Sequence, residues 1–554
     1  MEADDTEEEE EGEDKEEDDS VLLTIVPIDN SLNVVYRYKY RLYASLSFMT
    51  VVIIVGVPMW WKTTEVYRVS LPSDDILRLG HDAARTTVNI GIFAFKPERS
   101  ELLIQELNAA FVDNDLWNIK FHQIAQIENA TTAVTPARLE ALILKQHPLN
   151  AGDFIFIEWP KLSDEFLLTT ERSALFKPEA SQLIINILIL QTFKMQKTQS
   201  ENGRTTIKND PPQTEYDVVI SVVNPRPDIM DVKWNVKMAV ETYIDPFLRA
   251  VNQVSNFTLK TQWKYQLAFG ADLKQIRDDT KIGRHYAISE SSLPYIITAF
   301  EKNLGVGITD KSAINLIVYV PPCEIAPLHI YTHQNKLATR NNVDSFISPK
   351  WGGVIIANPP METCISYNSE PKRVGFHVNT NDVMQIMLYQ LQNLLDIAVN
   401  AKIDGVKIVD LEQLEPRRWE YESYIRRSTI GHIGTASQTL QSLIKLLDNI
   451  SYIVINDDVG EAINDAYRNI LHAKSLLESS DLINASIYAK RAYISSEHAF
   501  FDASLLAQLY FPDEQKYAIY IPLFLPIMVP VISSFSTIRK LYIQLRTAKK
   551  VKTN

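Results

Sequence analysis

The sequence predicts a mixed α/β fold held between two membrane-spanning helices, and three observations support this. Two apolar runs, 42–61 and 517–538, contain no Asp, Glu, Lys or Arg. Between them, short runs rich in Val and Ile alternate with amphipathic stretches, as in α/β domains. Beyond about residue 410 the strand signals stop and helical spacing continues to the second run. We therefore expect a lumenal α/β domain at 62–410 and a lumenal helical segment at 411–516.

The first 41 residues form an acidic leader. The formal net charge of the chain is −14, and residues 1–20 contribute −13 of it through fourteen acidic side chains and one Lys. A segment with this charge and little apolar surface cannot bury a core, so 1–41 is predicted to be a disordered cytosolic tail. The rest of the chain is nearly neutral at −1, which excludes a basic field for nucleic acid.

The flanks of the two runs predict their orientation. About 20 apolar residues in a helix cover the roughly 30 Å hydrocarbon core. Lys and Arg collect on the cytosolic side of such helices. Arg37, Lys39 and Arg41 precede the first run, and the tail after the second, 539–554, contains basic charges without acidic ones. Both termini are therefore predicted to be cytosolic, and the middle of the chain lumenal.

A cleaved signal peptide is the alternative interpretation of the first run. The run begins at Leu42, behind the acidic leader, and no small-x-small cleavage pattern follows it. Both properties differ from those of secretory signal peptides, so we expect a signal anchor that is retained.

Within 62–410, five short runs are predicted to be strands and five stretches to be helices. Near-continuous Val and Ile runs indicate strands covered on both faces, as in a mostly parallel or mixed sheet with helices on both faces. The strands are 87–95, 153–158, 216–223, 314–320 and 353–357, and the helices are 97–111, 181–193, 232–254, 292–304 and 381–399. A polar loop at 198–214 interrupts the alternation.

The segment 411–516 shows amphipathic helical spacing in three stretches, 420–448, 460–479 and 480–511. A helical hairpin or small bundle leading into the second run is therefore expected. The predicted apolar face of the second stretch consists of Ile463, Tyr467, Ile470, Leu471 and Leu477.

Cysteines and glycosylation sequons all lie between the two apolar runs. The chain has two cysteines, Cys323 and Cys364. An oxidising lumen permits a disulfide between them, and two buried free thiols are the alternative. The candidate N-glycosylation sites are Asn129, Asn256, Asn449 and Asn484.

A search for catalytic and metal-binding patterns finds no strong candidate. There is no G-x-S-x-G elbow. Cys323 has His329 and His333 nearby, but its Pro-Pro-Cys-Glu surroundings match neither caspase-like nor papain-like motifs, so a structural cysteine is preferred. The two histidines lack the Glu of H-E-x-x-H and are predicted to lie in a surface loop. Lys-Trp-Gly-Gly at 350–353 predicts a tight turn before a strand. We expect no catalytic residue, metal site or cofactor.

The second apolar run carries three prolines at four-residue spacing, Pro522, Pro526 and Pro530. Each proline removes a backbone hydrogen bond and frees a carbonyl. In hydrocarbon those carbonyls need partners from neighbouring helices, ordered water or local rearrangement. A kinked helix that packs against other membrane subunits is therefore favoured over an isolated bent anchor.

The chain ends in the pattern K-x-K-x-x, with Lys550 and Lys552 as its lysines. This pattern is similar to the cytosolic dilysine signal for retrieval to the endoplasmic reticulum, which is read by a receptor. A generic basic flank that maintains topology is the alternative.

Three motifs carry a resemblance to the PIG-S family. The sequence Gly-Val-Pro-Met-Trp-Trp-Lys-Thr-Thr-Glu-Val-Tyr-Arg at 56–68 resembles the first membrane segment of that family and the lumenal residues after it. The sequence Phe-Pro-Asp-Glu-Gln-Lys-Tyr-Ala-Ile-Tyr-Ile-Pro-Leu-Phe-Leu-Pro at 511–526 resembles the second, and Lys-Trp-Gly-Gly at 350–353 fits the family internally. Length and two-helix topology match over essentially the whole chain, whereas the acidic leader departs from the family.

The resemblance implies a non-catalytic subunit of GPI transamidase, which attaches GPI anchors to the C-termini of proproteins in the endoplasmic reticulum membrane. It implies that the Cys/His chemistry belongs to another subunit, PIG-K. The other implied partners are PIG-T, PIG-U, a GPAA-type subunit, membrane lipid, and the GPI lipid and proprotein presented by the complex. Two alternatives stay open: a self-sufficient lumenal α/β hydrolase or transferase, and a membrane tether or receptor.

Overall fold

The structure is a computed structural model and describes residues 31–64, 67–79, 84–111, 117–125, 135–180, 182–193, 198–199, 205–206, 212–267, 269–278, 283–304, 311–334, 336–337, 343–369, 373–397, 404–409, 416–450, 453–506 and 513–551. The acidic leader up to residue 30 lies outside these residues, as does much of the polar loop at 198–214. The chain divides into two compact units, one made of Met1–Tyr67 and Ala507–Asn554, the other of Arg68–Leu506.

The helices are numbered in chain order, and a π-helical segment, Val52–Gly56, connects the first two. They are α1 Ser31–Val51, α2 Val57–Thr64, α3 Ser73–Arg78, α4 Pro97–Ala110, α5 Pro136–Gln146, α6 Gln182–Thr192, α7 Val236–Tyr243, α8 Asp245–Val251, α9 Leu293–Leu304, α10 Met361–Ser369, α11 Thr380–Leu394, α12 Arg418–Asn449, α13 Asp457–Glu478, α14 Leu482–Phe500, α15 Ala503–Leu506 and α16 Asp513–Val551.

The strands are numbered in the same way. They are β1 Thr86–Phe93, β2 Trp117–Gln123, β3 Phe154–Glu158, β4 Phe166–Leu168, β5 Ser173–Phe176, β6 Thr198–Gln199, β7 Thr205–Thr206, β8 Glu215–Asn224, β9 Met230–Lys233, β10 Asn256–Tyr265, β11 Lys274–Asp278, β12 Gly283–Ser289, β13 Ser312–Tyr319, β14 Leu328–Tyr331, β15 Val343–Ser348, β16 Gly352–Ala357, β17 Val374–His377 and β18 Val406–Ile408.

The first large sheet has six strands in the order β18-β4-β5-β3-β1-β2 and is parallel except between β4 and β5. All five residues of β3 are buried, as expected for a strand covered on both faces. Leu107 of α4 and Leu188 of α6 pack on one face. Leu139 and Ile143 of α5 pack on the other.

The second large sheet has five strands in the order β10-β8-β13-β16-β15, and only the edge strand β15 is antiparallel to its neighbour. Helices α7, α8 and α11 cover one face, where Phe247 and Met387 are buried against Ile220. Helix α9 covers the other through Ile296 and Phe300. The mixed α/β prediction with helices on both faces is confirmed, but the strands belong to two large sheets.

The tight turn predicted at 350–353 connects β15 to β16. Lys350 has a φ of 64°, and a Cβ atom added to Gly352 would lie 1.9 Å from the backbone oxygen of Asn315. Glycine is therefore required here because β16 runs so close to β13. The remaining small sheets in the described residues are β11-β12-β14, β17-β9 and β6-β7.

All five predicted strands are present, as β1, β3, β8, β13 and β16. Four of the five predicted helices are also present, as α4, α6, α9 and α11. The prediction of one helix over 232–254 was wrong, because this stretch begins in strand β9 and continues as the two helices α7 and α8. Pro246 stands in the first turn of α8, where a missing N–H is tolerated.

Helices α12, α13 and α14 form the predicted helical segment, but they do not form a separate core. Ile425 and Ile433 of α12 and Ile463 of α13 belong to the same buried cluster as Ile220 of the second sheet. The predicted apolar face of α13 is correct except at Leu471, which is 45% exposed. Leu471 follows the buried Ile470 directly and is therefore turned about 100° away from it around the helix.

Candidate functional sites

The unit made of the two chain ends contains a pair of long helices, α1 and α16, which contact each other. The partly or fully buried residues among the described side chains of α1 and of the π-helical segment after it are Leu42, Ser45, Met49 and Val52, at spacings of three, four and three. Those in the described part of α16 are Val531, Ser534, Ile538 and Leu541, at the same spacings. Matching spacings on the two contacting helices form a seam between them, with small serines that allow close approach.

The seam ends at Val52 and Val531. All side chains of 53–59 are exposed, and so are those described between 518 and 530 of α16. Beyond these two residues the backbone hydrogen bonding also departs from the regular α-helical pattern. Val52–Gly56 is π-helical, and α16 contains its three prolines. Among the described side chains, burial between the two helices therefore extends to Val52 and Val531, and the described side chains beyond them are exposed.

The apolar composition of this unit agrees with part of the membrane prediction. In the part of the chain that the structure describes, the helix Lys39–Met59 is long and apolar enough to cross a membrane. The second apolar run, 517–538, lies within the continuous helix α16. Its crossing of the membrane stays a prediction.

Cys323 and Cys364 form a disulfide that connects the loop after β13 to helix α10. Both residues are buried in the main apolar core. A sulfur held in a disulfide is not a thiolate, so Cys323 is not placed here as a nucleophile.

The two histidines near Cys323 do not share a surface loop, so this prediction was wrong for His329. His329 lies on β14, is 5% exposed, and pairs through Nδ1 with Oδ2 of Asp344 at 2.9 Å. The backbone N–H of Ile330 donates to the same oxygen at 3.1 Å. His333 is exposed and lies 3.7 Å from Glu290. The apolar residues on either side of His329 were the sequence signal for a buried strand.

A second buried histidine, His285 on β12, was not found from the sequence. Its Nε2 lies 2.6 Å from the Tyr331 hydroxyl and its Nδ1 lies 3.0 Å from the Gly283 carbonyl. The rings of His285 and His329 pack edge to face at 5.8 Å. Both nitrogens of His285, Nδ1 of His329 and Oδ2 of Asp344 have protein partners, so this layer is a buried polar network between β12, β14 and β15, in which Oδ1 of Asp344 lacks a hydrogen bond.

A cleft of about 810 Å³ opens at the carboxyl ends of β8 and β13, the usual ligand position in an open parallel sheet. Tyr319 and Phe269 form its floor, with ring centroids 4.4 Å apart. Burial raises the pKa of the Tyr319 hydroxyl. At the rim, Arg226 donates to Glu324 at 3.1 Å. No Cys or His is among the described residues that line the cleft.

A buried charged cluster on α12 joins the bundle to the first sheet. Glu422 is 5% exposed and accepts hydrogen bonds from Arg172 and from the backbone N–H of Gly152 at 2.9 Å. Arg426 donates to the Gly152 carbonyl at 2.7 Å and stacks over Phe193. Burial lowers the pKa of Arg426 to about 10, so the guanidinium remains charged. No sequence pattern indicated this junction.

Three of the four candidate glycosylation sites lie among the described residues, and each is exposed: Asn256 at the start of edge strand β10, Asn449 at the end of α12, and Asn484 in the first turn of α14. Asn129 lies outside the described residues. Lys550 is in α16, and Lys552 also lies outside. Among the described residues no group of three or more His, Cys, Asp and Glu side chains is placed to hold a metal ion.

These observations define a class of protein: a large α/β and helical domain, attached to a pair of apolar helices, in which the candidate nucleophile Cys323 is held in a disulfide. The chain belongs to the PIG-S family, described as phosphatidylinositol-glycan biosynthesis class S protein, and the match covers residues 47–544.

Relatives with curated names match along most of their length. The chain is 30% identical over 529 residues to "GPI-anchor transamidase component PIGS" of Bos taurus. This match covers 89% of this chain and 93% of that protein. The protein of the same name from Homo sapiens matches at the same identity and coverage. The "GPI transamidase component PIG-S homolog" of Schizosaccharomyces pombe is 25% identical over 500 residues, covering 87% of this chain and 81% of that protein.

Proposed function

We propose that this chain is a non-catalytic component of GPI transamidase, the complex that attaches GPI anchors to the C-termini of proproteins in the endoplasmic reticulum. Membership of the PIG-S family over residues 47–544 is the observation that carries the proposal. The mammalian relatives, which bear the name of a transamidase component, match over 93% of their own length. The proposal therefore concerns the whole subunit.

An accessory role is favoured over a self-sufficient hydrolase or transferase. The candidate nucleophile Cys323 is in a disulfide with Cys364. The cleft beside it has neither a Cys nor a His among its described lining residues. The Cys/His chemistry is assigned to a separate subunit, PIG-K, with PIG-T, PIG-U and a GPAA-type subunit as the other partners. The role of this chain is then to support assembly of the complex.

Helix α16 is proposed to cross the membrane beside α1. Its seam residues have the same spacing as those of the first helix, and the helix Lys39–Met59, which begins within α1, is long and apolar enough to span. In this proposal the two helices cross the same layer in opposite directions, so both chain ends lie on one side. The basic tail at 539–554 favours the cytosolic side for both, and 62–516 is then lumenal.

The proposal is tested by deleting the gene and measuring GPI-anchored proteins at the cell surface by flow cytometry, together with copurification of the full-length chain. We expect strong loss of surface GPI-anchored proteins and migration of the chain in a much larger assembly. Normal surface levels after deletion would contradict the proposal. A variant without residues 1–20 should restore the surface signal, whereas a tether that uses the acidic tail would lose it.

Matched cysteine variants separate the accessory role from the hydrolase alternative. Because Cys323 and Cys364 are partners in one disulfide, Cys323→Ser and Cys364→Ser should have equal effects on abundance and on rescue. Loss of rescue with Cys323→Ser alone, at normal abundance, would instead favour a nucleophilic Cys323.

A further inference from the structure

The three prolines of α16 lie on a stripe that α1 does not cover. Pro522, Pro526 and Pro530 are all exposed. Their four-residue spacing places them on one side of the helix, and this stripe is turned by about 100° from the seam residues that face α1. The stripe is therefore a separate face of the helix pair.

The stripe contains a row of carbonyls without their helical donors. Proline has no N–H, so the carbonyls of Ala518, Pro522 and Pro526 each lack the donor four residues further on. Two of these three carbonyls belong to prolines of the stripe itself. The acceptors therefore follow one another at intervals of about 6 Å along the helix axis.

The segment 53–59, which follows α1, has no side chain that could supply the missing donors. The described buried residues between α1 and α16 end at Val52 and Val531, and beyond them the sequence of 53–59 is Ile-Ile-Val-Gly-Val-Pro-Met. None of these side chains carries a hydrogen-bond donor. Acyl chains have no donors either, and the hydrocarbon core contains no water to replace them. Beyond this segment Trp61 carries an indole N–H, and local backbone rearrangement is a further way to satisfy such carbonyls; a neighbouring protein helix with donor side chains is the source that this inference takes up.

We infer that the proline stripe of α16 binds a transmembrane helix of a neighbouring subunit that carries donor side chains such as Ser, Thr, Asn or Gln. Such side chains hydrogen bond between helices in membranes. The inference rests on the proposed function, because it requires α16 to cross the membrane within a complex. It names the chemistry that the neighbouring helix must present.

Site-specific photo-crosslinking in the full-length chain, expressed in its cell, tests the position of the contact. A photoreactive residue replaces Val529, which lies beside the stripe and is 54% exposed. In a second variant it replaces Met528, which lies at the same depth on the other side of the helix and is 44% exposed. We expect protein adducts from Val529 to exceed those from Met528 by at least about fivefold, since directed helix contacts distinguish faces. Equal yields, or adducts with lipid alone at Val529, would overturn the inference.

A triple variant tests the chemistry. Changing Pro522, Pro526 and Pro530 to Ala restores three N–H groups, so the helix satisfies its own carbonyls and remains well folded. Crosslinking from position 529 and copurification of the neighbouring subunit should then fall by at least about fivefold. The matched control changes three exposed residues on the other side of the helix, Ile521, Met528 and Ile532, to Ala. In this control, crosslinking and copurification should stay within about twofold of the native values. Undiminished crosslinking in the proline variant would reject the inference.

The two proposals fail in different ways. If deletion of the chain leaves surface GPI-anchored proteins unchanged, the proposed function fails. If deletion removes them but the triple proline variant restores them with native crosslinking, only the proline stripe inference fails.

Discussion

Removal of the Glu422 carboxylate should weaken the junction between the first sheet and the helical bundle. Glu422 lies on α12, is 5% exposed, and accepts hydrogen bonds from Arg172 and from the backbone N–H of Gly152. In Glu422→Ala the Arg172 guanidinium loses its buried counter-charge and Gly152 loses its acceptor. Removing one partner of a buried ion pair costs roughly 3–5 kcal/mol. The Arg172 side chain is 18% exposed and retains some water, which favours the lower end of that range.

Thermal unfolding of the detergent-solubilised full-length chain measures this loss. For a cooperative unit the size of Arg68–Leu506, 1 kcal/mol corresponds to about 1 °C. We therefore expect the midpoint for Glu422→Ala to fall by about 3–5 °C. Glu422→Gln keeps an acceptor without the charge and should lose about half as much.

The matched control is Glu171→Ala. Glu171 pairs with Arg418 at 3.1 Å in the same region, but both side chains are about half exposed. Exposed pairs contribute about 0–1 kcal/mol, so the midpoint should change by less than about 1 °C. A Glu422→Ala midpoint within about 1 °C of the native value would refute this account of the junction.

Two further predictions concern stability. Burial lowers the pKa of His432, which contacts the Pro212 carbonyl, to about 4. The native state therefore favours the neutral ring. The free energy of unfolding should be unaffected by this group above about pH 6.5 and should fall by roughly 3 kcal/mol as the pH drops to 4. His432→Gln should remove this part of the pH dependence in unfolding scans, and an unchanged dependence would contradict the assignment. Gly352→Ala should strongly reduce folded protein, because its Cβ would clash with the Asn315 backbone, whereas Gly375→Ala, with no atom within 4 Å, should leave the yield close to native.

Strands with strong local patterns were predictable, and their arrangement was not. The buried runs of β1, β3, β8, β13 and β16 are visible as Val and Ile runs because each is covered on both faces. Nothing in a run specifies its neighbour, so the division into two large sheets came from the structure. The break between α7 and α8 was also not predictable from local pattern, because the apolar spacing continues across both helices.

The buried polar groups were hidden for a related reason. His329 and Glu422 look like surface residues in the sequence, because charged and polar side chains are mostly exposed. Each is buried with a partner distant in the chain: Asp344 for His329, and Arg172 for Glu422. Such pairs form only when separate elements meet, and local periodicity contains no information about them.

By itself the sequence determined the α/β and helical character, the two apolar runs and the family motifs at 56–68, 350–353 and 511–526. These properties depend on residues that are near one another in the chain. Only the tertiary structure decided that α1 and α16 contact each other, with Val52 and Val531 at one end of the described buried residues. It also decided that the proline stripe faces away from α1, because the face of a helix that is covered depends on which distant segment packs against it.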